Sequence, residues 1–228
     1  MEKVIYALNG TGNIRASTLA EAAIGAGATN VRVNLPDAAV KAGSAITQQR
    51  GETLPDAIVQ CWVQTANPIF RRRLDTIIGE HCDSWHAWLV AESTIIENTD
   101  HPSASGERTA GFAQMAFLPL PDGMEWHEWR RIWRDGHTQI AIDTQSNFEY
   151  RQNLVVEALS DNAPPFVAIV EECFPIEALD NPFVFFDAAG DQAKFDRNLA
   201  AMMESCGRFI TAGSIDVIPT SQFDFTAD

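Results

Sequence analysis

Among the residues that could carry chemistry, His137 stands out by its spacing. It follows Trp133 by four positions and Trp126 by eleven, with Trp129 between them. If one helix runs through this stretch, all four project from a single apolar face. An imidazole set among tryptophans, with an ordinary pKa of about 6.5, can accept or donate a proton near neutrality. The competing reading is a satisfied core or helix-end histidine beside Gly136. The tryptophans divide in the same way. They either fill the space between helix and sheet or form the aromatic wall of a pocket, in which case Trp129 and Trp133 contact a ligand.

Two further groups come from segments that alternate like strands. In Asn147–Leu154, Phe148, Tyr150, Gln152 and Leu154 share one face, while Asn147, Glu149, Arg151 and Asn153 share the other. The Tyr150 hydroxyl is suited to hydrogen-bond a phenol or an enolate oxygen, and the Gln152 amide to orient the same group. The alternative for Tyr150 is half-buried sheet packing. Asn153 is a further candidate ligand contact, or it serves with Arg151 at an internal interface. In VAIVEECFP, alternation sends Glu171 and Glu172 to opposite faces. A carboxylate buried there costs several kcal/mol unless it is paired or its pKa rises. Glu171 is therefore carried as a candidate acid or base, although the pattern does not choose between the two. The ordinary explanation is an ion pair with Arg131, Arg134 or Arg151. Asp143 is either a carboxylate behind His137 or a solvated turn residue.

These side chains need elements to hold them. The periodicity predicts strand 3–8, helix 17–26, strand 30–35, strand 57–64, helix 69–78 and strand 88–96. After the polar stretch 98–108, the same order recurs: strand 112–118, helix 124–135, strands 147–159 and 166–174, helix 192–209 and strand 215–218. The repeat is one of pattern and not of letters. It predicts an α+β chain of two tandem ferredoxin-like β-α-β-β-α-β halves, 1–97 and 109–228, joined by a linker over 98–108. Each half would be a four-stranded sheet with two helices on one face. The two open faces would be buried against each other, forming a dimeric α+β barrel-like pseudo-dimer within one chain. Phe195, Leu199, Met202, Cys206 and Phe209 fall at helical steps and read as core.

Composition narrows the partners. With 31 acidic against 16 basic residues the net charge is −15, and Arg71–Arg72–Arg73 is the one dense basic run, so nucleic acid is not expected. No stretch approaches the roughly 18 apolar residues of a spanning helix, and the first residues do not read as a signal peptide, which predicts a cytoplasmic protein with no membrane partner. The four cysteines, Cys61, Cys82, Cys173 and Cys206, form no C-x-x-C pair. His81, Cys82 and His86 make a weak metal pattern without a fourth ligand, so no metal is expected. Nucleotide, nicotinamide and serine-hydrolase motifs are absent, and the NGTGN run at 9–13 reads as a turn. No cofactor is expected.

The second half carries a resemblance. GERTAGFAQMAFLP, WHEWRRIWRDGHTQIAIDTQSNFEYRQN, APPFVAIVEECFP, NLAAMMESCGRFI and IDVIPTSQF, across roughly residues 106–223, resemble EthD domain-containing proteins. The most telling piece is the helix of spaced tryptophans closing on His137. The first half lacks that ending, since its helix reads ASTLAEAAIGAGA, which leaves one functional pocket. The resemblance implies the dimeric α+β barrel superfamily, which includes cofactor-free monooxygenases, lactone isomerases, and decarboxylases or dehydratases of aromatic polyketides. It implies His137 as the catalytic residue, and haem ligation is another role for a histidine in that superfamily.

Residues and resemblance together lead to a cofactor-independent lyase or isomerase. It would act by decarboxylation, dehydration or retro-aldol cleavage on an aromatic or other apolar oxygenated molecule, with His137 as general acid or base and Tyr150 or Gln152 steadying an oxyanion. The alternatives are a cofactor-free monooxygenase of a phenolic or polyketide substrate, and a non-catalytic carrier of a hydrophobic ligand. Homodimerisation stays open, though an internal duplication removes the need for it.

Overall fold

Several strands, Glu2–Asn9, Ala57–Val63, Phe112–Pro119 and Phe166–Phe174, are mostly apolar and buried on both faces, and some of the helices between the strands are opened by side-chain caps. The computed structural model describes residues 1–51 and 53–227. The first half contains β1 (Glu2–Asn9), α1 (Ala16–Gly25), β2 (Asn30–Leu35), a 3-10 segment at Ala38–Ala45, β3 (Ala57–Val63), α2 (Pro68–Gly79) and β4 (Ser84–Ile96). Asn67 caps α2 by accepting a hydrogen bond from the Ile69 amide at 3.0 Å, with Pro68 in the first turn, where its missing N–H costs nothing. The second half begins with β5 (Phe112–Pro119). There follow α3 (Trp126–Arg131), a π-helical turn (Ile132–His137) and α4 (Thr138–Thr144), which run together without a gap in sequence. Then come β6 (Glu149–Ala158), β7 (Phe166–Phe174), a 3-10 turn at Ile176–Leu179, α5 (Pro182–Phe185), α6 (Gln192–Cys206) and β8 (Asp216–Thr226).

The eight strands form one closed antiparallel barrel in the order β1-β3-β2-β8-β5-β7-β6-β4. This corrects the expected pair of ferredoxin-like halves forming a barrel-like pseudo-dimer, because the strands close into one continuous barrel and not into two four-stranded sheets. The edge strands do not face solvent across two separate sheets. Instead β2 pairs with β8 from Asn30↔Thr226 to Leu35↔Ser221, and β4 pairs with β6 from Trp88↔Ala158 to Ile96↔Tyr150. Edge backbone groups need partners, and closure supplies them along both seams. The inner faces also rule out a stacked-sheet core, because alternation points Arg32, Asn34, Gln60, Glu149, Glu171 and Gln222 inward, and all are buried.

Three layers of packing result. Inside the barrel, one zone is apolar, with Ile5, Ile58, Trp88, Met115, Phe117 and Ile169, and another is polar. Outside, α1 and α2 cover Val4, Tyr6, Leu8, Val31, Val33 and Val59. On the second half, the helices and the outer faces of β5 to β8 bring together Trp129, Trp133, Tyr150, Val170, Met202 and Phe209.

The helix predicted over 124–135 runs on to Thr144, because the π-helical turn absorbs Gly136 instead of ending there. The strand predicted over 215–218 extends to Thr226. Pro219 is tolerated within it, opposite Gln114, and its inward Thr220, Gln222 and Asp224 obscured the apolar period. Among the described residues, no helix is long and apolar enough to cross a membrane.

Candidate functional site

Three neighbouring strands place one polar row on the outer face of the second half. Gln114 of β5 is paired with Glu172 of β7, and Glu172 with Tyr150 of β6. Residues opposite one another in an antiparallel pair have Cβ atoms about 4.5–5.5 Å apart, so this row forms a contiguous strip. It lines a cavity of about 540 Å³ between the sheet and the helices, a volume suited to a small organic molecule.

The remaining walls are mostly apolar. Trp133 and His137 enter from the π-helical turn, Met202 and Cys206 from α6, and Phe209 from the turn after it. Phe185 and Phe186 close one side, and Ala45, Ile46 and Gln48 reach over from the first half. That lip is held closely. A Cβ on Gly43 would stand 2.6 Å from Leu179 Cδ2 and 2.8 Å from Pro219 Cγ, so only glycine allows the 3-10 segment to lie against both. No lysine or arginine lines the cavity among the described residues, whereas Glu172 and Asp180 do.

The titrating groups have diverged. Burial pushes the Glu172 carboxyl up to about 7, opposed only by a 2.9 Å hydrogen bond that Asn147 Nδ2 donates to Oε1. Burial holds His137 down to about 4, helped by the positive charge of Arg208. Its Nδ1 lies 2.9 Å from Ser205 Oγ, and its ring packs on Phe209 with centroids 4.7 Å apart. At neutral pH, His137 is thus an uncharged imidazole while Glu172 is near its midpoint. The Tyr150 hydroxyl accepts from Gln152 Nε2 at 2.8 Å, and burial raises its pKa above the ordinary phenol value, so it keeps its proton at neutral pH.

Three of the residues singled out in sequence therefore meet at the cavity: His137, Tyr150 and Trp133. The others lie elsewhere. Trp129 is fully buried behind Trp133, their rings 5.0 Å apart, and its Nε1 donates to the Phe209 carbonyl at 3.1 Å. Gln152 stands behind Tyr150 and also donates to Thr138 Oγ1 at 2.8 Å. Asn153 points into the barrel, where it accepts from Lys3 Nζ at 2.9 Å and donates to the Ile169 carbonyl.

Glu171 also faces the barrel interior. It accepts from Arg32 Nη1 at 2.9 Å, Asn34 Nδ2 at 2.8 Å, Gln60 Nε2 at 3.0 Å and Gln222 Nε2 at 2.9 Å. Burial alone would raise this carboxyl. Arg32 and Lys3, with the hydrogen bonds, hold it well below the usual carboxylate range instead. Its partner is thus Arg32 of the first half and none of Arg131, Arg134 or Arg151. Asp143 is exposed and accepts from Gln139 at 2.8 Å, while Ser205 is the group behind His137.

Glu172 and Gln114 are the site residues that the pattern left undecided or missed. Glu172 was one of two indistinguishable carboxylates, and Gln114 carried no signal beyond its strand position. Among the described residues, no cluster of three or more His, Cys, Asp or Glu is placed to hold a metal, and His81, Cys82 and His86 form none.

No protein-family model and no curated protein sequence matches the chain. Solved structures match it over nearly its whole length. One is a candidate monooxygenase from Fusobacterium nucleatum subsp. nucleatum, 7% identical with a TM-score of 0.52, the match covering 99% of this chain and 94% of that one. Another is an anthrone oxidase-like protein, 11% identical with a TM-score of 0.48, covering 99% and 93%. The first likeness is one of fold alone, and it does not reach the EthD family.

Proposed function

We propose that the chain is an oxygenase that needs no cofactor and acts on a neutral phenolic or enolic small molecule, with Glu172 as its general base. The observation that carries this reading is a buried carboxylate with no cationic partner among the described residues, poised near pH 7, in a mostly apolar cavity of about 540 Å³. Glu172 takes the proton from an acidic C–H or O–H of the substrate. Tyr150, held by Gln152, donates to the oxygen on which charge develops, and His137 adds a neutral imidazole to the same wall. The Trp133, Phe209 and Met202 walls keep water from the carbanion-like species.

Dioxygen is the oxidant. A C–O bond forms at the deprotonated carbon, and the resulting hydroperoxide loses water as the second C–H and the O–O bond break. An activated methylene thus becomes a carbonyl, one oxygen atom enters the product and the other leaves as water. The candidate monooxygenase of like fold is in keeping with this class. Decarboxylation fits the cavity less well, because a carboxylate substrate would meet Glu172 and Asp180 with no cation on the wall among the described residues.

The test is a mass-spectrometric turnover screen of neutral polycyclic phenols and hydroxyketones under air and under argon, without added metal, flavin or nicotinamide. Oxygen-dependent replacement of two hydrogens by one oxygen in wild type, absent in Glu172→Gln, is the expected result. Turnover that persists under argon with loss of water or an aldehyde would move the assignment to a lyase. Binding without turnover in either protein would make it a carrier.

A further inference from the structure

We infer that the mouth of the barrel is a second ligand site, one that takes a small monoanionic aromatic acid. A separate cavity of about 210 Å³ opens there. Its floor is aromatic: Trp88, Phe117 and Phe166 pack in a triangle, with ring centroids 5.2, 5.6 and 6.0 Å apart. These rings belong to the inner apolar zone of the barrel and so are fixed by the strands that carry them. A flat apolar ring is the occupant such a floor accepts.

Its rim supplies one cation. The Arg50 guanidinium stands 5.0 Å from the Phe166 ring centroid. Its carboxylate partner among the described residues, Asp216, is 3.9 Å from Nε, beyond hydrogen-bond reach. The Arg50 main chain is nevertheless fixed, because its amide donates to Asp216 Oδ1 at 2.6 Å and Gln48, two residues earlier, bridges to Val217 through two backbone hydrogen bonds. A guanidinium anchored at its base, with no side-chain hydrogen bond among the described residues, is preorganised for a carboxylate. His86 adds an Nδ1 that has no hydrogen-bond partner among the described residues. Asp216 sets the charge of the guest. It shares the rim with Arg50, so the single guanidinium can match one guest carboxylate, and a second negative charge on the guest would add only repulsion.

The inference does not depend on the chemistry proposed for the larger cavity, since the two lie on opposite faces of β8: Val217 turns to the larger cavity and Asp216 to this one. The probe is benzoate, with benzamide as its neutral isostere, titrated by NMR while following the indole signals and the Arg50 Nε signal. Saturable benzoate binding that shifts Trp88 and Arg50, at least tenfold tighter than benzamide, is the expected result. Arg50→Gln should remove the tenfold preference and leave benzamide unchanged, while Arg50→Lys should keep part of it. Equal affinity for the two probes, shifts centred on Trp133, no saturable binding, or an unaltered Arg50→Gln would each overturn the inference.

Discussion

At the scale of single residues, the site turns on which of two adjacent carboxylates titrates near neutrality. Glu171 has four hydrogen-bond donors, the Arg32 guanidinium among them, and Glu172 has one amide. Their environments therefore drive their pKa values apart, and only Glu172 is available as a base that cycles at pH 7. Glu172→Gln should lower kcat by about 10²–10⁴-fold, the usual contribution of a positioned general base. In wild type, kcat/KM should rise with pH through about 7 and then level off as Glu172 ionises. His137→Phe should keep that limb, because the imidazole titrates near 4. A pH–rate profile of the two proteins decides the matter: loss of the limb in His137→Phe would assign the base to the histidine. Trp133, His137 and Tyr150 were legible as site candidates because helical and strand periods are local. The choice of Glu172 was not legible, since alternation separates two neighbours without saying which face meets a cation.

At the scale of elements, Arg32 ties the seam of the barrel. From β2 it reaches Glu149 on β6 and Glu171 on β7 at 2.9 Å each, and Asp224 on β8 through Nε and Nη2 at 2.7 Å. Nothing in the sequence near Arg32 announces these partners, which lie more than 100 residues away. For this reason the strands could be read with fair accuracy while the closure could not. Each strand follows from its own alternation, but pairing β2 with β8 and β4 with β6 is a long-range choice made by edge backbone groups and by this inward polar set. Arg32→Ala leaves two buried carboxylates short of their main cation and should cost about 3–5 kcal/mol at neutral pH. The sign with pH is fixed: without Arg32 both carboxyls lose the largest influence holding their pKa values down, so those values rise and the deficit should shrink as pH falls and the carboxyls protonate. Urea unfolding at pH 5 and pH 8 measures it, and an equal deficit at both would show that lost packing and not charge dominates. Gly43→Val tests a different element, the lip of the larger cavity. It should displace the 3-10 segment from Leu179 and Pro219 and raise KM by more than it lowers kcat, as read from steady-state kinetics.

At the scale of the whole molecule, the buried ionisable groups set opposing slopes on stability. His137 has a folded pKa depressed to about 4 against an ordinary 6.5, so the folded state binds fewer protons and stability falls as pH drops from 6.5 to 4. Glu172 has a folded pKa raised to about 7 against an ordinary 4.5, so it costs nothing below 4.5 and destabilises progressively as pH rises to 7. Each shift is about 2.5 units, or roughly 3 kcal/mol, and between pH 4.5 and 6.5 the two nearly cancel. Glu149 and Glu171 are depressed by Arg32 and by their other cationic neighbours, and their stabilisation is fully present above 4.5 and lost as pH falls below it. The protein should therefore show a urea midpoint that is nearly flat from about pH 5 to 6.5 and drops steeply below about 4.5. Substitution separates the two halves of the plateau. Glu172→Gln removes the falling term and should leave a midpoint that climbs up to about pH 6.5, while His137→Phe removes the rising term and should leave one that declines toward pH 7. A plateau unchanged in both variants would mean that the net charge of −15, and not these two groups, governs the pH dependence, and added salt would then flatten it further by screening.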